Sequence, residues 1–187
     1  MATKAGNRDP RHRTVWRVAG WGTAVVLLLL PLAAMQFTDE VDWDGFDFLF
    51  AAVLFGSVGL AFEFIVRKSP SLAYRFAAGL AVITAFLTIW ANGAVGMIGS
   101  EDNPYNLVFG GVLFLALIGA ILARFEPGGM TRAMIGAAIA QAAAGAAGFG
   151  TDARGAVFSV GFAGFWALSA ALFWNAAREQ RPGAASP

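Results

Sequence analysis

Residues 105–123 read Tyr105-Asn106-Leu107-Val108-Phe109-Gly110-Gly111-Val112-Leu113-Phe114-Leu115-Ala116-Leu117-Ile118-Gly119-Ala120-Ile121-Leu122-Ala123. A helix that crosses a bilayer takes about 20 mainly apolar residues, because each adds 1.5 Å against a hydrocarbon core of ~30 Å. This stretch has that length and carries no charge. On one side stand Glu101, Asp102, Asn103 and Pro104, and on the other stands Arg124. A segment that is apolar all round, acid at one end and basic at the other, has both a place and a direction in a membrane, since Lys and Arg near the ends of spans are retained on the cytoplasmic side.

Working outward, five further segments meet the same requirement: about 18–37, 46–66, 76–98, 133–149 and 156–174. The expected architecture is therefore all-α, a transmembrane bundle of six helices arranged as three hairpins, with residues 18–174 forming one domain between polar tails that are disordered at roughly 1–13 and 179–187. Charge placement sets its orientation. Twelve of the 13 basic residues fall on one side: Lys4, Arg8, Arg11, Arg13 and Arg17 in the 1–17 tail, Arg67, Lys68 and Arg75, then Arg124 and Arg132, then Arg178 and Arg181 in the 175–187 tail. Only Arg154 falls opposite, with Asp39, Glu40, Asp42, Asp44, Asp47, Glu101, Asp102 and Asp152. Both termini are expected in the cytoplasm. Trp16, Trp43 and Trp174 fall where an amphipathic ring is favoured, at the headgroup level, whereas Trp166 is mid-span and is expected to pack on a neighbouring helix. A cleaved secretory signal is the alternative for the first segment, but its apolar stretch is longer than a usual signal core.

Composition supports the membrane class: 58% of the 187 residues are apolar and 13% charged, against roughly 45–50% and about 25% for soluble domains. It also prunes chemistry. The chain has no Cys, and its single histidine, His12, is in the N-terminal tail, which removes thiolate chemistry, bis-histidine haem and ordinary zinc sites. No metalloprotease, serine-hydrolase or phosphate-loop signature is present, nor a pair of intramembrane aspartates. The expectation is a protein that is not an enzyme, with no cofactor, no metal and no nucleic-acid partner.

Three polar or small-residue features remain. Glu63 is an ionisable group inside a span, where insertion of a charge costs about 2.5–3.5 kcal/mol. Arg67 stands four residues on, within pairing distance on one helix face. Together with Asn92 and Gln141, also at membrane depth, Glu63 and Arg67 form the candidate intramembrane polar site. The loop carrying Glu101, Asp102 and Asn103 is the candidate acidic site on the periplasmic side. Asn103 followed by Pro104 there reads as a helix cap with proline at the first helical position, and the alternative is a hard cation held by oxygen ligands. The first acidic loop, Glu40-Val41-Asp42-Trp43-Asp44-Gly45, starts like a calcium loop, but the position that needs a bidentate Glu is Ala51, so that match fails. Finally, Gly136, Ala140, Ala144 and Gly148 repeat every four residues and form a candidate helix-packing face.

The run from Trp90 through Gly99-Ser100-Glu101-Asp102-Asn103-Pro104, with the following helix and Arg124, resembles a family of small, uncharacterised multi-pass inner-membrane proteins of proteobacteria. The resemblance covers roughly residues 60–145 and implies a bacterial inner membrane, with no activity or catalytic residue to carry over. Two function classes stay open. The favoured one is a non-catalytic packing or accessory protein whose partners are the bilayer, a second copy or another membrane protein. The other is a small permease or channel using Glu63, Asn92 and Gln141. The two are distinguished by whether those three side chains face a common pocket.

Overall fold

The computed structural model describes residues 10–69 and 71–180, and Lys4, Arg8 and Arg181 lie outside them. Among the described residues there are six α-helices: α1 (Pro10–Ala34), α2 (Gly45–Lys68), α3 (Leu72–Ala94), α4 (Leu107–Leu122), α5 (Pro127–Gly148) and α6 (Ala153–Glu179). A short 3₁₀ turn, Pro104–Asn106, leads into α4. Helices α2, α3 and α6, and α4 taken with its 3₁₀ turn, are long and apolar enough to cross a membrane. This is an all-α membrane protein.

The chain forms two compact units, residues 1–61 and 62–187, with the boundary inside α2. In the first unit, α1 contains Pro31 in its last turns. Residues 39–44 form the acidic connection, closed by Asp44, whose Oδ1 accepts from the Phe46 and Asp47 amides at 2.7 and 3.0 Å and so caps α2. Trp43 packs edge-on against Phe48. The indole of Trp21 lies over Gly59, where a Cβ would come within 2.9 Å of the ring, so this glycine makes room for the tryptophan.

The second unit is built around the α5–α6 hairpin, with α3 against α6 and α4 against α5. Its core is made of side chains from all four helices: Tyr74, Ala77 and Ala81 of α3, Val112 and Ala116 of α4, Met134 and Ala137 of α5, Trp166 and Phe173 of α6. Small residues set the spacing. A Cβ on Gly145 would meet Ser159 of α6 at 2.9 Å, and one on Gly119 would meet Ala133 of α5 at 2.8 Å. Because lipid tails are as apolar as the side chains, such close approach gains dispersion contacts rather than hydrophobic transfer energy.

Both ends of this unit are tied. At one end Lys68 pairs with Glu126 at 3.0 Å, the Tyr74 hydroxyl donates to the Phe125 carbonyl at 2.9 Å, and the Ser71 hydroxyl donates to Glu179 at 2.9 Å. The turn there holds Arg124 and Phe125 at φ of 49° and 58°, a left-handed conformation that costs a non-glycine residue about 1–2 kcal/mol. Phe125 is held in it by the Tyr74 bond and by the ring of Phe64, with centroids 4.9 Å apart.

Helix boundaries differ from the hydropathy reading in an instructive way. The first helix, expected at 18–37, begins at Pro10 and ends at Ala34, so residues 10–13 are helical rather than part of a disordered tail. Hydropathy marks only the part of a helix that suits lipid, and a polar Arg-rich segment continues a helix into water at little cost. The third, expected at 76–98, spans 72–94 because the Ser71 side chain caps it by accepting from the Tyr74 amide. The fifth starts at Pro127, with Pro at the first turn, and includes Gly128 and Gly129. The sixth runs five residues past the expected Trp174, and the expected 179–187 tail starts with Glu179 still helical.

Candidate functional site

Residues 95–106, between α3 and α4, form a folded plug rather than a loose loop. Gly96 and Gly99 adopt φ of +74° and +75°, a region open to glycine at little cost. These two turns drive Met97 and Ile98 inward until they are 1% and 0% exposed, in a cluster with Phe109, Ala144, Ala156 and Phe162. Burying that backbone requires partners for it. Asn106 supplies two, its Oδ1 accepting from the Ile98 amide at 2.9 Å and its Nδ2 donating to the Ser100 carbonyl at 2.8 Å. Asn103 supplies a third, its Nδ2 donating to the Ile98 carbonyl at 2.9 Å, while its Oδ1 accepts from the Tyr105 amide and caps the 3₁₀ turn. The Tyr105 hydroxyl reaches across to donate to the Ala144 carbonyl of α5 at 2.6 Å.

Asp152 fastens this plug to α6. One carboxylate oxygen accepts from the Gly99 amide at 3.0 Å, and the other accepts from the amides of Arg154 and Gly155, both at 3.0 Å, capping α6. The Gly155 and Gly99 amides, with smaller contributions from the Arg154 amide and its positive charge, hold the Asp152 carboxyl below its ordinary value of 3.8. A depressed carboxyl pKa contributes stability that is present above the unfolded value and is lost as pH falls through the folded one. The thermal midpoint of the wild type is therefore expected to exceed that of Asp152→Asn at neutral pH, with the difference closing only below pH 3.8. Equal midpoints at neutral pH would remove Asp152 from this role.

The candidate acidic loop is thus divided. Asn103 is spent on the backbone, whereas Glu101 and Asp102 are exposed. Among the described residues no cluster of three or more His, Cys, Asp or Glu is placed to hold a metal ion.

The four candidate intramembrane polar residues lie at different depths. Arg67 donates to Glu63 at 3.0 Å along α2, with the arginine side chain well exposed. Phe62, the neighbour of Glu63, lies against Gly79, and Asn92 is 13 residues further along α3, about 20 Å at the helical rise. Asn92 bonds within its own helix, its Nδ2 donating to the Thr88 carbonyl at 2.8 Å. Gln141 is fully buried, and its Nε2 donates to the Ser159 hydroxyl of α6 at 3.1 Å. Glu63 and Arg67 form one group near the basic end, and Asn92 and Gln141 stand deeper toward the other. Glu63→Gln is expected to change stability by no more than about 1 kcal/mol, as for an exposed pair. Loss of folded protein from the membrane fraction would contradict this.

The fourfold stripe on α5 also divides. Ala144 and Gly148 are buried, Gly148 against the Ile98 side chain, but Gly136 has nothing near a would-be Cβ and Ala140 is only partly buried. Positions four apart advance 40° beyond a full turn at 3.6 residues per turn, so the stripe winds 120° around the helix. The buried face as a whole includes Met130, Met134, Ala137, Gln141, Ala144, Gly145 and Gly148. A mixed three-and-four spacing would have found it.

Sequence reasoning did not single out Ser159, Ser169, Asn106 and Asp152 as tie points. Ser169 is buried and donates to the Ala77 carbonyl of α3 at 2.8 Å. A serine in an apolar helix was the available signal, since its hydroxyl must find an acceptor away from water. Comparison of the chain with known protein families, with characterised proteins and with solved structures returns no match.

Proposed function

We propose that this is a non-catalytic, multi-pass protein of a bacterial inner membrane, crossing it six times with both termini cytoplasmic, that works by packing against a second copy of itself or another membrane protein. The observation that carries the reading is where its polar side chains are spent. Ser169 bonds α6 to α3, Tyr105 bonds the plug to α5, Gln141 and Ser159 bond α5 to α6, and Tyr74 bonds α3 to the turn before α5. Such groups stiffen a scaffold. A permease built on Glu63, Asn92 and Gln141 needs them around one opening, and the 20 Å or so separating Glu63 from Asn92 along the helix axis counts against it.

Orientation rests on the basic residues Arg67, Lys68, Arg75, Arg124, Arg132 and Arg178 falling at one set of helix ends, with Arg154 at the other. Large apolar side chains face outward on α4, among them Leu107, Phe114, Leu117 and Leu122, and these suit lipid or a partner helix.

The test is extraction into nanodiscs at native expression, followed by mass measurement and identification of whatever travels with the protein. A stoichiometric companion or a dimer mass is the expected result. A lone monomer that supports solute flux in liposomes, with the flux abolished by Asn92→Leu or Gln141→Leu, would replace this reading with transport.

A further inference from the structure

Helices α4 and α5 meet along a definite line. A Cβ on Gly119 would meet the Ala133 side chain at 2.8 Å, and one turn nearer the basic end a Cβ on Gly129 would meet that of Ala123 at 2.6 Å. On the inner side of this line stand Ala116 and Ala120 of α4 and Met130 and Met134 of α5, all buried in one cluster. At about 100° per residue, Ile118 and Leu122 fall on the opposite, outer side of α4, and Arg132 and Gly136 on the outer side of α5. Exposure agrees. Leu122 is 79% exposed and Ile118 36%, Arg132 is exposed, and nothing lies within 4 Å of a would-be Cβ on Gly136. The outer side of the seam is therefore an open groove, with an apolar wall on α4 and, at Gly136, bare backbone on α5.

Charge stands at one end of this groove only. Arg132 lies in the second turn of α5, and helical side chains lean toward the start of their own helix. That direction leads to the level where α4 ends at Leu122 and Arg124 follows. The contact between Gly129 and Ala123 limits the separation of the Arg124 and Arg132 Cα atoms to about 13 Å, a span that two arginine side chains bridge with a phosphate between them. Both are exposed, and among the described residues neither has an ion pair. The acids at this end are already engaged: Glu63 by Arg67, Glu126 by Lys68, and Glu179 by the Ser71 hydroxyl.

We propose that the outer α4–α5 groove binds one anionic glycerophospholipid, its phosphate held by Arg124 and Arg132 and one acyl chain laid along Ile118 and Leu122 over Gly136. The occupant follows from the order of the surface, which is cationic where α4 ends and apolar from there inward. A free anion would leave the groove uncovered, and an apolar partner helix would bury two arginines that have no counter-charge. The arginine fork matches phosphate oxygens, whereas a headgroup that also carries an amine would cancel part of the attraction. The inference needs only that these helices lie in a membrane, and it holds whether or not the protein packs against a second copy.

The experiment titrates the whole chain in mild detergent with phosphatidylglycerol and, separately, with phosphatidylcholine of the same acyl chains, counting bound lipid by native mass spectrometry. The expected result is one phosphatidylglycerol bound more tightly than phosphatidylcholine, with its binding weakened about fivefold by Arg124→Gln or by Arg132→Gln. Arg67→Gln, which removes a charge at the same end that is paired with Glu63, is expected to leave it unchanged. Gly136→Leu keeps both arginines and fills open space, and is expected to weaken phosphatidylglycerol binding by displacing the chain. Equal binding of the two lipids overturns the proposal, and so does an equal loss in Arg67→Gln or full binding in Gly136→Leu. Displacement of the lipid by an equal concentration of inorganic phosphate would reduce the site to its arginines, and a lipid-independent dimer mass abolished by Gly136→Leu would give the groove to a second copy. Either result also overturns it.

Discussion

Alanine at position 96 is expected to destabilise the second unit by about 2–5 kcal/mol. Two costs combine. The backbone at Gly96 has φ of +74°, where an L-residue loses about 1–2 kcal/mol. The added Cβ would also collide with the Ser100 carbonyl and approach the Asn106 side-chain nitrogen to 2.7 Å, and overpacking of this kind typically costs about 1–3 kcal/mol. Neither neighbour can yield freely. The Ser100 carbonyl accepts from Asn106, which also holds the Ile98 amide, so relief of the clash would release a buried amide. Gly93, three residues earlier in α3, is the control, because nothing lies within 4 Å of its would-be Cβ. Gly93→Ala is expected to be neutral or to stabilise by about 0.5–1 kcal/mol through helix propensity. Denaturant titration in mixed micelles, followed by circular dichroism, measures both. Similar midpoints for the two variants would show that the plug contributes nothing to the unit's stability.

Trp166→Ala is the second large effect, with an expected loss of about 3–5 kcal/mol. Trp166 is the largest of the fully buried side chains and belongs to a cluster drawn from α3, α4, α5 and α6. Other members of that cluster include Ala81, Ala116 and Ala137, whose side chains are too short to fill the space it would leave. The comparison is Phe114→Ala on α4, a substitution of similar size at a side chain that is 66% exposed, for which a loss under about 1 kcal/mol is expected. The same titration reads both, and a Trp166→Ala variant as stable as Phe114→Ala would mean that the four helices do not share one core.

The sequence was most legible where a single physical quantity decides the outcome. Apolar length places the helices, and the Leu107–Leu122 helix was visible as such from residues 105–123. The burial of Trp166 and the cap at Asn103 also follow from local chemistry. Helix ends were less legible, because polar segments such as 10–17 continue a helix without any hydropathy signal. Residues 95–98 show the opposite failure: Val95, Met97 and Ile98 read as a helical continuation, yet Gly96 and Gly99 turn them into the plug. The tie points were least legible. Asp152 reads as one acid among several in the acidic connections, and its distinction comes from Gly99, 53 residues away in the chain. Charge and apolar spacing are local properties, whereas hydrogen bonds between helices depend on which faces meet.

The order of neighbours within the second unit has a consequence for its synthesis. Helix α3 packs chiefly on α6, the last helix of the unit to be translated, and meets α4 only slightly. During translation α3 therefore leaves the ribosome long before its main partner exists, with Thr84, Thr88 and the Ala77 carbonyl uncovered. A nascent chain stopped before α6 would leave α3 without the helix it chiefly packs on, and cellular quality control would meet an unfinished bundle. Assembly of this unit is thereby a late, concerted event, and its completion depends on arrival of the α5–α6 hairpin.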